Sequence, residues 1–416
     1  MKAIPLVILL FIVETVFSQT DNSITSGEVI DARHWKINQE PFSLKGQCRY
    51  FENQLLSPAE CKTAVGGVAD FPSLFKLNSK EEEGIGYATY LITVIVPTDE
   101  RDFALTIPQI YSSYKLWVNN NIVAENGIVG KTEKECKPQW KPQTVAFQVN
   151  SDTLAMVLQI ANFHHAKGGI KEQIYLGKPS LIKFKRSVST ISKLTESAAL
   201  FCIGFFFLII FFFYRRNKAT LYFALLALTW SVRSVFSNLY LFISFYPDFD
   251  WTTMIRIEYI TLYLAMIWAI LFLTSLFRNE ANIILKYGLV FCNVLFTAFS
   301  LSSLPRVFTQ GLNVYLITSG VLLLYGTFIV IRAWGNERAG SGLLTLSIIL
   351  GLNIFGYDIF VYEGFSSYDP VIFSAGYVSI FLMMGFALAF HVGLIKTKQN
   401  PATTLTYEDM YRDQLN

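Results

Sequence analysis

The sequence predicts two parts of different class: a β-sandwich in the first half and an all-α bundle of seven membrane-spanning helices in the second. Short β-branched and aromatic runs punctuated by turn residues crowd the first half. Long apolar runs rich in Phe, Leu and Ile fill the second, and the composition switches near residue 197. The 416 residues are 52% hydrophobic and 16% charged, whereas a soluble chain carries about a quarter charged residues. The net charge of +3 is near neutral for this length and leaves no electrostatic footprint for nucleic acid.

The first 18 residues read as an export signal: Lys2 forms a short positive region, Ile4 to Ile12 an apolar core, and Val16-Phe17-Ser18 a small-residue cleavage site before Gln19. The apolar stretch is shorter than a membrane span. The rival reading is an uncleaved anchor helix. An exported domain is then expected over 19–188, with a small, polar connector at 189–196 coupling it to the first span. Within the domain, strand-like runs cover 86–96, 102–107, 114–118, 144–149 and 154–160. Pro97, Pro108, Asn119 to Asn121, Asn126-Gly127 and Gly168-Gly169 separate them, the spacing of a sandwich. Cys48, Cys61 and Cys136 allow one disulfide, with Cys48–Cys61 closing a short loop, or three buried thiols.

Four segments carry a family resemblance: residues 49–58 (RYFENQLLSP), 84–90 (GIGYATY), 111–119 (YSSYKLWVN) and 161–169 (ANFHHAKGG). They resemble the extracellular domain of bacterial seven-transmembrane receptors with diverse intracellular signalling modules. In that branch the domain resembles a galactose-binding-like jelly roll, a fold shared with sugar-binding domains of glycosidases. Asn119-Asn120 departs from the usual Asn-Gly, and Asn tolerates positive φ there. The resemblance implies binding of a small ligand, with carbohydrate the leading class. Flat aromatic faces stack on sugar C–H faces, and Asn or His supplies paired hydrogen bonds. The candidate ligand-binding residues are Tyr87, Tyr111, Tyr114, Asn119, Asn162, His164, His165 and Lys167. Tyr90 and Trp117 alternate within strands and read better as core. The loop 162–169 is the strongest site, since a polar run ending in two glycines reads as a loop. His164 and His165 point to different sides and have no carboxylate or Cys at ligand spacing, so no metal and no cofactor is expected.

Seven spans of roughly 20 apolar residues are expected at 197–214, 219–238, 253–277, 282–303, 310–332, 340–362 and 370–395. Odd-numbered breaks carry Arg215, Arg216, Lys218, Arg278, Lys286, Arg332 and Arg338, and the tail carries Lys396 and Lys398. Even-numbered breaks carry only Arg306 among acidic Asp248, Asp250, Glu363 and Asp369. Basic loops stay in the cytoplasm. The expected placement is therefore a multi-pass protein of a bacterial inner membrane, N-terminal domain outside and C-terminus inside. Trp251 and Trp334 fall at expected membrane interfaces. Gly385, Ala389 and Gly393 repeat every four residues, for close packing within the bundle or in a homodimer.

Arg233, Arg256, Glu258 and Asp358 lie in the outer third of their spans and form a transmembrane charge cluster. Intramembrane charges usually face the bundle and find partners, so Arg233 is expected to pair with Glu258 or Asp358. The cluster is either a relay for the exported domain or a static clasp. The 21 residues at 396–416 are too few for the catalytic output module usual in the family, so a separate cytoplasmic signalling partner, or a longer parent chain, is expected. No hydrolytic triad, nucleotide motif or paired-carboxylate site emerges; the run at 81–83 reads as a solvated acidic loop. The function expected is a non-enzymatic ligand-sensing receptor embedded in the lipid bilayer. The rivals are a transporter with a capture domain and a membrane-anchored carbohydrate-binding envelope protein.

Overall fold

The computed structural model describes residues 24–26, 28–75, 84–213, 217–362 and 369–399. The export signal, the acidic run 81–83, Arg215, Arg216, Glu363 and most of the tail fall outside these residues, and the side chains of Lys396 and Lys398 are likewise not described.

The first half is a β-sandwich of the jelly-roll kind. Its larger sheet is built on β6 (Gly86–Ile95) and β12 (Thr153–Asn162), which pair antiparallel over their whole length. Beyond β12 lie β9 (Ser113–Val118) and β10 (Asn121–Asn126). On the other side of β6 lie β2 (Val29–Asp31), itself paired with β1 (Ile24–Ser26), and β4 (Gly46–Glu52), itself paired with β5 (Gly67–Phe71). The smaller sheet runs β11 (Gln143–Gln148), β7 (Asp102–Ile107), β14 (Tyr175–Gly177), β3 (Phe42–Ser43). A short ribbon pairs β8 (Ile110–Tyr111) with β13 (Gly169–Ile170).

Alternation decides what fills the space between the sheets. Tyr90, Ile92 and Val94 of β6, Tyr114, Leu116 and Val118 of β9, and Met156, Leu158 and Ile160 of β12 point inward and meet Phe103, Leu105 and Ile107 of β7. Each such side chain contributes on the order of 1.5–3 kcal/mol of burial. The outer face of the large sheet has its own small core. Phe51, Cys61 and Val157 are buried there beneath the segment after β4, with Trp117 packed against them. Trp117 and Tyr90 thus serve packing, on opposite faces of one sheet. Cys48 sits in the main core and Cys61 in the outer one, and all five cysteines are free thiols. Of the two arrangements left open by the sequence, the reduced one is found. Burial pushes the Cys48 thiol up to about 12, so it is inert as a nucleophile.

Among the described residues, seven helices are long and apolar enough to cross a membrane. They are α1 (Pro179–Phe213), α2 (Lys218–Phe236), α4 (Trp251–Leu276), α5 (Ile283–Ser302), α7 (Leu312–Gly335), α8 (Ser341–Tyr362) and α9 (Pro370–Gln399). Two short helices, α3 (Leu241–Phe245) and α6 (Pro305–Gln310), fill the turns nearest the sandwich. Asn217, Asp250 and Asn282 cap α2, α4 and α5 by accepting backbone N–H bonds, which sets where these helices start. The spans close a ring in the order α1, α2, α4, α7, α8, α9, with α5 packed outside on α4.

One helix departs from expectation. The residues assigned to a connector, 189–196, are helical, and α1 runs unbroken for 35 residues from Pro179. At 1.5 Å per residue that is about 52 Å, well beyond a hydrocarbon core of roughly 30 Å. Its first turns therefore stand outside the membrane, against β7, β11 and β14 of the smaller sheet. Ile182 is buried there over Gly177. Further along, Ser197 and Ser231 each donate a hydroxyl to the other's carbonyl, at 3.0 and 2.7 Å, and Gly204 lets α2 approach α1 closely. In α9, Gly376 lies close against Ile354 and Gly385 against Phe207 and Phe223, while Ala389 and Gly393 are exposed.

Candidate functional site at the junction of sandwich and bundle

Strand β12 ends at Asn162, on the side of the sandwich facing the bundle, and the loop 163–168 follows. Asn162 is wholly buried and organises this loop. Its amide donates to the carbonyls of Gly84, His165 and Lys167 at 2.6, 2.7 and 3.0 Å, and its carbonyl accepts from the His165 N–H at 3.1 Å. Gly84 and Gly168 bring their backbones into such contact that a Cβ at either would overlap main-chain atoms of the other strand of the loop.

The loop is thereby aimed at the membrane helices. The His165 ring is buried, stacked on Tyr111 at 4.7 Å and edge-on to Trp140 at 5.3 Å. Burial depresses the His165 pKa to about 3, so the ring is neutral. Its Nδ1 accepts the Lys167 N–H at 2.9 Å. His164 lies edge-on to Trp251 at 6.3 Å, and burial lowers its pKa also. The Ala166 N–H donates to the Thr309 hydroxyl of α6 at 3.1 Å, and Gln139 Nε2 donates to the Pro247 carbonyl at 3.0 Å. Trp140 touches Tyr240 at 5.3 Å and Trp251 at 5.5 Å. Sandwich and bundle thus share one aromatic core, which continues through Met254, Tyr259, Tyr263 and Phe308.

This core has an unusual polar defect. Among the described residues, the indole N–H groups of Trp140 and Trp251 and the Nδ1 of His164 are buried without a hydrogen-bond partner. Buried donors are nearly always satisfied, and an unmet one costs about 1–3 kcal/mol. Two such donors and an unpartnered imidazole nitrogen gathered at a single seam make the docked arrangement less stable than its aromatic area implies.

Behind the seam lies a polar belt inside the membrane. Arg233 of α2 donates through Nη1 to the main-chain carbonyl of Glu258 on α4 at 2.5 Å. The Glu258 carboxylate accepts from the Tyr240 hydroxyl at 3.2 Å. Arg256 turns the other way and donates to the Ser303 carbonyl at 3.1 Å. Asp358 lies within electrostatic reach of Arg233 and Lys193. The side-chain pairing expected for Arg233 is therefore replaced by a bond to backbone. The fully buried ion pair lies elsewhere: Lys193 and Glu196 of α1 meet at 2.9 Å, with side chains 2% and 0% exposed. Ser374 of α9 donates to the same Glu196 oxygen at 2.8 Å.

The structure sorts the expected ligand residues by place. Tyr87, Tyr111, Asn162, His164, His165 and Lys167 gather about the loop after β12. Tyr87 lies 6.5 Å from Phe163, and Tyr87, Tyr111, His164 and Lys167 are only half-buried. Tyr114 is sealed in the sandwich core and presents no face to a ligand. Asn119 is a turn residue at the other end of β12. Its φ of 46°, with Asn120 at 72°, forms the hairpin turn, and its amide bonds Thr153 and Ala155. Seven residues of strand, about 23 Å, separate it from the loop. Trp251, expected at a membrane interface, is instead 4% exposed in the shared core, whereas Trp334 is 59% exposed. Sequence reasoning missed Trp140, Tyr240, Lys193 and Glu196. The i, i+3 spacing of Lys193 and Glu196, adjoining the first apolar run, was the one local sign.

Residues 197–399 match the family model described as 7TM diverse intracellular signalling. Comparison with curated proteins found no match. Among solved structures, a GH2 β-galacturonidase from Eisenbergiella tayi bound to glycerol is similar at 10% identity and a TM-score of 0.25, over 33% of this chain and 24% of that one. A β-glucuronidase from Ruminococcus gnavus is similar at 12% identity and a TM-score of 0.24, over 33% and 28%. The same enzyme in complex with D-glucuronic acid gives 12%, 0.25, 33% and 29%. The chain spans less than a third of the length of each.

Proposed function

We propose that this chain, whose residues 197–399 match the family model described as 7TM diverse intracellular signalling, is a membrane signalling receptor that senses a small ligand at the loop after β12. We infer further that it relays the event by changing how the sandwich docks on the bundle. The supporting observation is the shared aromatic seam, in which the ligand-candidate loop and the ends of α4 and α6 are in direct contact. A ligand that reorders 162–168 changes the surface presented to Trp251 and Thr309. A carbohydrate suits the chemistry of half-buried Tyr87, Tyr111 and His164 with Lys167 beside them. The orientation that follows from the loop charges puts the sandwich outside a bacterial inner membrane and the far loops in the cytoplasm. There, a separate signalling protein reads the change, and the receptor carries out no catalytic step of its own.

The test is a thermal-shift screen of the full chain in detergent against sugars, amino acids and short lipids. A ligand at 100 times its dissociation constant stabilises the protein by about 2.7 kcal/mol, a shift of a few degrees. The shift should disappear in His164→Ala and Tyr87→Ala. No shift across the panel, or a shift that both variants retain, removes the loop from ligand recognition.

A further inference from the structure

At the end of the bundle away from the sandwich, α5 and α7 touch only sparingly and leave an open groove of about 690 Å³ between them. Its apolar walls are Leu285 of α5 and Val321, Leu324 and Phe328 of α7, which are 47%, 47%, 72% and 50% exposed. These α7 residues and Arg332 recur at three- and four-residue spacing, so they line one face of the helix. From Val321 to Arg332 the groove runs 11 residues, about 16 Å along the axis. That is half of a hydrocarbon core of roughly 30 Å, the depth of one leaflet.

The two ends of the groove differ in polarity. The Val321 end is apolar. The other end carries Arg332 in the last turn of α7 and Asn279 in the loop between α4 and α5. Arg332 is exposed, its guanidinium 5.6 Å over the Phe328 ring. The one carboxylate of the groove, Glu280, is only 3% exposed and is already taken, accepting from Arg338 Nε at 2.7 Å and from Asn336 at 3.3 Å. Among the described residues no carboxylate pairs with Arg332. Trp334, 59% exposed, marks the same level as a membrane interface.

An apolar channel one leaflet deep with an unmatched cation at its headgroup end fits one occupant. We infer that the groove between α5 and α7 binds an anionic phospholipid, its phosphate on Arg332 and an acyl chain along Val321, Leu324 and Phe328. The inference depends on the helices lying in a bilayer and not on what the sandwich recognises.

The test is native mass spectrometry of the full chain titrated with phosphatidylglycerol and phosphatidylcholine, beside thermal unfolding in the same detergent. The wild type should retain phosphatidylglycerol in preference by about fivefold, the factor one basic side chain near an anionic headgroup supplies. Arg332→Gln should equalise the two lipids, and Arg332→Lys should keep the preference. Leu324→Trp, which narrows the channel and leaves the charge, should lower retention of both. Both side chains are exposed, so unfolding temperatures of all three variants should match the wild type. Equal retention of the two lipids by the wild type, an undiminished preference in Arg332→Gln, or unchanged retention in Leu324→Trp each overturns the assignment.

Discussion

His165 stays neutral because it is buried between Tyr111 and Trp140, with its Nδ1 committed to the Lys167 N–H. Its pKa is held near 3 by that burial, below the value of about 6.5 in an unfolded chain. The unfolded state therefore takes up a proton below about pH 6.5 while the folded state does not, and stability falls as pH drops from about 6.5 toward 3. An unfolding series in detergent should show this loss, and His165→Phe, which keeps the stack, should flatten that part of the profile. Lys193 and Glu196 are the second case. Lys193→Met leaves a buried carboxylate without its cation and should cost about 3–5 kcal/mol, whereas Lys193→Met with Glu196→Gln should come close to the wild type. Equal melting of the single and double variants would show that the pair is already hydrated. The sequence marked Asn162, His164 and His165 through loop composition. It was silent on Trp140, whose role depends on Tyr240 and Trp251, about a hundred residues away.

The elements written in local sequence were the legible ones. The seven spans follow from hydropathy, and the hairpin between β9 and β10 follows from consecutive asparagines that accept positive φ. The start of α1 was not legible, because its first residues carry too few apolar positions to read as a span, and its first turns pack on the smaller sheet. Such a helix depends on its continuity. Ser187 is exposed in the stretch between sheet and membrane. Ser187→Pro removes a backbone hydrogen bond and clashes with the preceding turn, at a cost of about 3 kcal/mol or more. Calorimetry should give one cooperative transition for Ser187→Ala and two for Ser187→Pro, the sandwich melting apart from the bundle. A single transition in both would mean that the aromatic seam alone joins them.

At the scale of the whole molecule, the seam combines strong packing with unmet donors, two opposing contributions to docking. Trp251→Phe keeps the ring and deletes one stranded N–H, so it should favour docking by about 1–3 kcal/mol, while Trp251→Ala should loosen it. Limited proteolysis of the segment 130–138, which leads into Gln139 and Trp140 at the seam, reports the first change as slower cleavage and the second as faster, while the turn 119–121 at the far end of the sandwich should be cut equally in both. Identical cleavage of 130–138 in both variants would make the seam a static joint. The architecture was readable from composition and periodicity, but the docking was not. It is a property of surfaces contributed by residues far apart in the sequence.

The unbroken α1 has a mechanical consequence. The buried Lys193–Glu196 pair, held by Ser374 of α9, is a natural fulcrum where the helix enters the bundle. Below it, 17 residues to Phe213 make an arm of about 26 Å. A tilt of about 5° imposed by the sandwich then swings the far end by roughly 2 Å, the size of helix shift that switches known signalling assemblies. The same rigidity that joins the two halves thus turns a small rocking motion on one side of the membrane into a displacement that a protein on the other side can read.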